Sequence, residues 1–264
     1  FVVDIPFGRY LGDTVYALDP TRFRNLQVRV SWNLAENTAV GATGYLSGSL
    51  TYSVIPTLQI GGATPRGFMM HKEHYTYTVA AATEYIDLPT DHPYVAALFR
   101  AYAAGTALEG VVSDYRLSVD AGKMVPFDLE TLDIMNLSTT RIPPFEYYHR
   151  FDLAEADTMV CIPQHDEVVS LSVDAGNIWA EYGGTGIGQG TLGLNDAAGT
   201  VAADTLIHAQ IRGFAPHGYI PWEFAPIERA ESFFPANSYG AIQLVATGAA
   251  AGAGEVILSQ ARTY

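Results

Sequence analysis

The stretch that decides the fold is "AIQLVATGAAAGAGEVILSQART", residues 241–263. Its two ends, 241–247 and 255–263, are rich in Val, Ile and Leu interspersed with polar residues, which is the composition of β-strands. The small residues between them, "GAAAGAG", indicate a loop. The stretch therefore predicts two consecutive strands.

The same strand signal recurs along the chain. It is clearest in "NLQVRVSWN", residues 25–33, where apolar and polar residues alternate as they do on a half-buried strand. The apolar positions there are Leu26, Val28, Val30 and Trp32. Further strands are predicted at 14–18, 48–60, 74–80, 84–88, 111–120, 147–153, 167–174, 177–182 and 204–214. So many short strands, with little helical periodicity, predict an all-β sandwich or barrel.

One segment, "TDHPYVAALFRAYAAG" at 90–105, fits two structures. Its Thr-Asp pair could cap a helix, with Pro93 in the first turn and Gly105 as a stop. The same residues equally fit a buried strand that passes through Phe99. The residues alone leave both alternatives open.

The hexapeptide LSVDAG occurs twice, at 117–122 and 171–176. In each copy Leu and Val alternate with Ser, and Asp-Ala-Gly then offers a capping side chain and a residue that tolerates positive φ. Both copies therefore predict a half-buried strand that runs into a turn. We interpret the identity as one turn chemistry used twice, because the copies are too close together to mark a duplicated half-chain.

A boundary is predicted within "NLSTTRIPPFEYY", residues 136–148, because a polar run followed by Pro143 and Pro144 cannot pair as a central strand. It divides the chain into two halves of similar strand content, 1–140 and 141–264.

Composition excludes several classes of protein. A chain of 264 residues with 48% hydrophobic and 16% charged residues can bury a large core. Its formal charge of −14, with basic residues scattered, argues against direct nucleic-acid binding. No apolar run is long enough to span a membrane. Cys161 is the single cysteine, so we expect a buried structural thiol rather than a disulfide or a nucleophile.

Motifs that would indicate chemistry are weak. "GGTGIGQGTLG" at 183–193 lacks the following helix of a dinucleotide site, so we expect a loop between strands. His71 and His74 would face opposite sides of a strand and so would not share a metal ion. Acidic pairs suited to a glycosidase can be drawn from Glu84, Asp87, Asp166, Glu167 and Glu181, but a chain with 28 acids supplies such pairs by chance. We therefore expect no enzyme activity, no cofactor and no metal.

Aromatic clusters at 143–151, 218–226 and 231–240 are more informative. Rigid aromatic side chains in loops suit large contacts between subunits, and they equally suit plugs for the open ends of a sandwich. The candidate interface residues are Phe145, Tyr147, Tyr148, Trp222, Phe224, Phe233, Phe234 and Tyr239.

Two similar all-β halves joined by a Pro-rich linker, without an active-site motif, resemble the double jelly-roll major capsid proteins of tailless icosahedral viruses of bacteria and archaea, which enclose an internal membrane. Three stretches carry the resemblance. They are "GDTVYALDPTRFRNLQVRVSWN" (12–33), "EYIDLPTDHPYVAALFRAY" (84–102) and "GAIQLVATGAAAGAGEVILSQARTY" (240–264). The second of them favours the strand alternative for 90–105.

The resemblance implies two tandem jelly-roll β-sandwiches, 1–140 and 141–264, and a structural role in the virion. Subunits would form homotrimers, contact neighbouring capsomers in an icosahedral shell, and meet penton or membrane-associated proteins. Assembly would take place in the host cytoplasm. Many members carry an N-terminal segment that reaches the membrane or the genome; "FVVDIPFGRYLG" is neither strongly basic nor clearly amphipathic, so such a segment would lie before Phe1.

Two other functions remain open at this point. One is a secreted β-sandwich protein that binds or hydrolyses carbohydrates. The other is a viral or cell-surface spike, which would have one jelly roll and an unrelated domain instead of two similar halves.

Overall fold

The computed structural model describes residues 5–31, 53–59, 61, 64–103, 106–153, 159–160, 165–173, 179–182, 191–195, 205–215 and 218–264. The chain forms two compact units. One contains Phe1–Met69 and Thr263–Tyr264, and the other contains Met70–Arg262. No helix among the described residues is both long and apolar enough to cross a membrane.

Strands account for most of the regular structure. They are β1 (Gly67–Val79), β2 (Thr83–Leu88), β3 (Tyr94–Tyr102), β4 (Val112–Val119), β5 (Met124–Glu130), β6 (Phe145–Leu153), β7 (Met159–Val160), β8 (His165–Val173), β9 (Trp179–Tyr182), β10 (Thr191–Asn195), β11 (Thr205–Phe214), β12 (Tyr219–Glu223), β13 (Ile242–Gly248) and β14 (Gly252–Thr263). The α-helices are α1 (Leu108–Val111) and α2 (Thr131–Thr139). Short 3₁₀ turns occur at Pro20–Arg22, Ala230–Ser232 and Ala236–Ser238.

Two four-stranded sheets contain β1 to β5 and β12 to β14. Their strand orders are β1-β14-β3-β12 and β2-β13-β4-β5. Along the chain, successive strands alternate between the two sheets except for the hairpin of β4 and β5, which stays in one sheet. This is the strand order of an eight-stranded jelly roll. The all-β sandwich expected from the sequence is confirmed.

The other six strands, β6 to β11, lie in the chain between the fifth and sixth strands of this jelly roll. They form two three-stranded sheets with the orders β6-β11-β8 and β7-β10-β9. In the first, β11 pairs antiparallel with both neighbours, as at Ile207, which is opposite Phe151 and Val173. We call residues 145–214 the inserted module.

In this topology the predicted division at 140 and 141 does not separate two sandwiches, and the double jelly roll stays a prediction. β13 pairs with β2 and β4, and β14 pairs with β3, so strands from both predicted halves share the same sheets. The described residues of 1–140 therefore contain only part of this jelly roll. Local alternation identifies strands but not their partners, and the Pro143-Pro144 pair marks the entry into an insertion rather than a boundary between two sandwiches.

The core lies between the two jelly-roll sheets. Phe99 on β3 and Tyr115 on β4 are 1% and 0% exposed, and their rings stack with centroids 4.9 Å apart. Leu244 on β13 lies opposite Leu117 and Ile86 in the neighbouring strands. Because side chains alternate along each strand, the apolar positions of both sheets meet in one layer, which explains the period-2 pattern of the sequence.

Most predicted strands are confirmed, including 90–105, where β3 replaces the helix alternative. Its neighbours β12 and β14 satisfy its backbone on both sides, which outweighs the local helix signals. The predictions at 14–18, 25–33 and 48–60 are wrong in their described residues. Tyr16 makes one bridge to Gly67, and no strand is assigned within 24–31 or 53–59.

The first LSVDAG copy ends β4 as predicted and closes the hairpin to β5. Asp120, Ala121 and Gly122 all have positive φ, at 48°, 58° and 86°. One carboxylate oxygen of Asp120 accepts hydrogen bonds from the backbone N–H groups of Gly240 and Ala241 at 2.9 and 3.1 Å. The turn is thereby fixed to the start of β13. In the second copy Leu171–Val173 end β8, and 174–176 lie outside the described residues.

Gly122→Val is expected to lower the free energy of unfolding by about 1–3 kcal/mol, because a β-branched residue is strained at a φ of +86°. Chemical denaturation measures the difference. Ala121→Gly is the matched control, since it relieves an L-residue at positive φ and should be neutral or stabilising. Equal losses in both variants would contradict the conformational explanation.

Candidate assembly surface

Four of the predicted interface residues pack at one end of the sandwich. Phe224 and Phe234 have ring centroids 5.2 Å apart, and Phe234 stacks on Tyr239 at 5.5 Å and on the buried Tyr94 at 5.7 Å. Nearby, the ring of Trp222 lies 4.5 Å from that of Phe127 in the hairpin strand β5. These side chains are partly buried against the core. Their arrangement matches the alternative in which aromatics plug an open end.

Phe233 is 7% exposed, so its side chain is buried within its own chain and is not available to a partner. This corrects its assignment to an interface. The sequence could not separate the two alternatives, because loop aromatics at a sandwich end and at a subunit interface have the same composition. Tyr148 on β6 is 67% exposed and stays a candidate, whereas the side chains of Phe145 and Tyr147 lie outside the described residues.

The outward face of the sheet β1-β14-β3-β12 carries a polar cluster that was not predicted. Arg100 on β3 is 3.5 Å from the carboxylate of Glu255 on β14, and its guanidinium lies 5.3 Å from the ring centres of both Tyr102 and Tyr219. The Tyr219 hydroxyl donates to the same carboxylate. Burial, together with the hydrogen bond to Glu255, raises the pKa of Tyr219 to about 12. The Arg100 guanidinium is therefore held within its own sheet, between two Tyr rings and a carboxylate.

The outward face of the other sheet, β2-β13-β4-β5, is a solvated polar surface. Asp87 accepts from Gln243 at 2.9 Å, and Asp114 accepts from Thr247 at 2.7 Å. These cross-strand pairs satisfy polar groups between neighbouring strands.

Exposed apolar side chains concentrate in the N-terminal unit instead. More than half of the exposed large apolar residues in the described part of the chain fall between Ile5 and Leu58. The most exposed are Leu11 at 84%, Ile55 at 87% and Leu58 at 73%. Exposed apolar side chains of a folded protein mark a surface that contacts another molecule where they form a contiguous patch. This is the candidate assembly surface.

A buried ion pair organises the start of this unit. The guanidinium of Arg9 donates two hydrogen bonds to the carboxylate of Asp13, at 2.7 and 2.8 Å, and stacks near Tyr10 and Tyr16. The backbone N–H of Val15 donates to Asp13 as well. Burial alone would raise the pKa of Asp13, but these hydrogen bonds outweigh it and hold that pKa well below its usual range. These contacts hold residues 9–15 together at the start of the unit.

The histidine pair and one of the acidic pairs lie on strands β1 and β2. His71 and His74 both lie on β1, and the His74 ring contacts the Asp87 carbonyl oxygen at 2.8 Å. Glu84 and Asp87 stand three residues apart on β2 and therefore on opposite faces. Within the part of the chain that the structure describes, no three metal-binding side chains cluster.

The remaining motifs fall in or near the inserted module. Asp166 and Glu167 lie on β8, and Glu181 lies on β9. Cys161 and residues 183–190 of the glycine-rich stretch lie outside the described residues, and 191–193 begin β10.

No protein-family model matches this chain, and no curated protein matches it. Among solved structures, the chain is similar to the crystal structure of the major capsid protein P2 from Bacteriophage PM2, at 9% sequence identity and a TM-score of 0.23. The match covers 74% of this chain and 98% of that chain.

Proposed function

We propose that this protein is a structural subunit of a viral capsid, assembling through its own surfaces into trimers that tile an icosahedral shell. The observation that carries the proposal is the jelly-roll order of the two four-stranded sheets, combined with a concentration of exposed apolar residues in the N-terminal unit. Jelly rolls of this order occur in capsid proteins, lectins and cupins. Of these, a shell subunit is the one that needs extensive contacts with its own copies.

The chemistry of the described residues supports a structural rather than a catalytic role. On the outward face of one sheet, Arg100 pairs with Glu255, and Tyr219 donates to the same carboxylate. In this proposal the partners are other copies of the chain, and then other virion proteins at the vertices and at an enclosed membrane. The protein would act in the virion after assembly in the host cytoplasm.

The presence of one complete jelly roll and an inserted module favours a second candidate function. A spike or appendage protein would have this domain organisation. Its sandwich would attach it to the virion or cell, and its second module would extend from the sandwich. The inserted module interrupts the jelly roll between β5 and β12, so both of its ends are held by the sandwich.

Native mass spectrometry and negative-stain electron microscopy of the purified chain test the proposal. A capsid subunit should form trimers that associate further into two-dimensional arrays or shells as concentration rises. Interfaces in such an obligate assembly should exceed about 2,000 Å². Discrete oligomers that never tile would support the spike, and a chain that stays monomeric at high concentration would overturn both.

A further inference from the structure

The strand-patterned residues 24–31 have no strand partner in this structure. Their sequence, "RNLQVRVS", alternates apolar and polar side chains as a half-buried strand does. No strand is assigned there, and Leu26, Val28 and Val30 are 53%, 57% and 45% exposed. We call residues 24–31 the arm. Its pattern provides an apolar face that the isolated chain leaves in water.

The same stretch also makes no backbone pair with another described residue. Among the described residues, no backbone hydrogen bond that involves the arm appears outside regular elements. Strand backbone groups left unpaired form a template for another strand, and an extended segment can satisfy them by adding to the edge of a sheet. The arm therefore has two unmet requirements, apolar cover and a hydrogen-bonding edge, which one sheet edge would meet together.

We propose that the arm adds as a strand to the jelly-roll edge of a second copy of this chain. This inference rests on the proposed function and names a contact through which the copies associate. Burial of the three exposed aliphatic side chains against a partner would favour association. Each main-chain hydrogen bond would add to this.

Charge favours a second copy as the partner. The arm contains Arg24 and Arg29 and no acid, whereas the whole chain contains 28 Asp and Glu against 14 Lys and Arg. A basic segment is attracted to an acidic neighbour and guided into register by it. A second copy of this chain is such a neighbour.

The sandwich also offers an edge that fits the arm. β2 and β5 are the edges of one jelly-roll sheet, and β1 and β12 are the edges of the other. Pro126 and Pro221 interrupt β5 and β12, and proline blunts an edge against pairing. β2 has no proline, carries two acids in "TEYIDL", and exposes Tyr85 at 63%.

A lipid surface fits the arm less well. Basic residues beside apolar ones also suit an anionic membrane, but membrane lipids cannot pair with strand backbone groups. Segments that lie on membranes are therefore usually helices with a 3.6-residue period. The arm has a period of two, which fits a sheet edge.

The test compares two double variants of the full chain by sedimentation velocity over a concentration series. Leu26→Asp with Val28→Asp places two charges on the apolar face of the arm. Gln27→Asp with Ser31→Asp adds the same charge to its polar face and is the matched control. We expect the first to weaken self-association at least about tenfold and the control to weaken it by less than about threefold. Thermal unfolding should be unchanged in both, because all four side chains are exposed.

Hydrogen exchange and Val28→Pro provide a second measurement. Amides within the arm should exchange rapidly in dilute monomer and become protected on association. Val28→Pro, which removes a backbone donor, should abolish that protection. Self-association of Leu26→Asp with Val28→Asp at wild-type strength would overturn the inference while leaving the capsid proposal intact. Loss of binding to phosphatidylglycerol vesicles without any change in self-association would also overturn it, in favour of a membrane contact. A wild-type chain that never associates would overturn both proposals.

Discussion

Phe99→Ala is expected to lower the free energy of unfolding of the sandwich by about 3–5 kcal/mol. Phe99 is 1% exposed, stacks on Tyr115 from the opposite sheet, and lies 6.1 Å from the ring of Phe127. Removing its ring leaves a cavity between two sheets whose backbones are held by their own hydrogen bonds, so the site cannot collapse to fill it. Guanidinium denaturation followed by tryptophan fluorescence measures the loss.

The matched control for this prediction is Leu98→Ala, one residue earlier on β3. Leu98 points to the outward face of the same sheet and is only partly buried, so its truncation should cost about 1 kcal/mol. A domain of this kind has a total stability of about 5–15 kcal/mol, so Phe99→Ala alone could unfold much of the population at physiological temperature. Similar losses for the two variants would mean that the face of β3 that carries Phe99 does not line the core.

Gly248→Ala is expected to cost about 3 kcal/mol, although it adds a single methyl group. A Cβ at this position would lie 1.9 Å from the carbonyl oxygen of Ala80 and 2.9 Å from a methyl of Val79. The obstacle is backbone, which cannot rotate away as a side-chain end can. The backbone N–H of Gly248 also donates to the Ala82 carbonyl at 2.9 Å, so relief of the clash would lengthen this bond.

Thermal denaturation of Gly248→Ala and of the control Ala249→Ser shows whether the loss of stability comes from this clash or from any substitution in the loop. Ala249 is exposed, and one added atom there should change stability by less than about 0.5 kcal/mol. An equal effect of both substitutions would contradict the close approach of β13 to the β1–β2 connection.

The strands of the sandwich were predictable where one face of each is buried. β4 and β13 follow the alternation of the sequence closely, because Leu117 and Leu244 face the same core. β5 and β12 were missed because Pro126 and Pro221 indicate a break, whereas proline is tolerated at an edge strand. α2 was missed because its polar residues lie in a stretch that also fits a loop.

The pairing of the strands was not predictable in the same way. Leu244 lies beside Leu117, and nothing local to either residue specifies the other as its neighbour. The alternation of the arm predicts a strand just as strongly as that of β4, and the two differ in whether a partner strand exists among the described residues. A pattern therefore reports that a segment is suited to a sheet, and the partner has to come from the fold. The same limit applies to the aromatic clusters, whose composition fits both a plug and an interface.

The inserted position of residues 145–214 has a consequence for how the protein is made. A ribosome releases β3 long before it releases β12 and β14, the two strands on either side of β3 in the finished sheet. Until those last segments emerge, the nascent chain keeps β3 and β4 with incomplete neighbours, in a form that chaperones recognise and that aggregates readily. Synthesis that stops before β14 therefore leaves β1 and β3 without the strand that lies between them, and the sandwich stays unfinished.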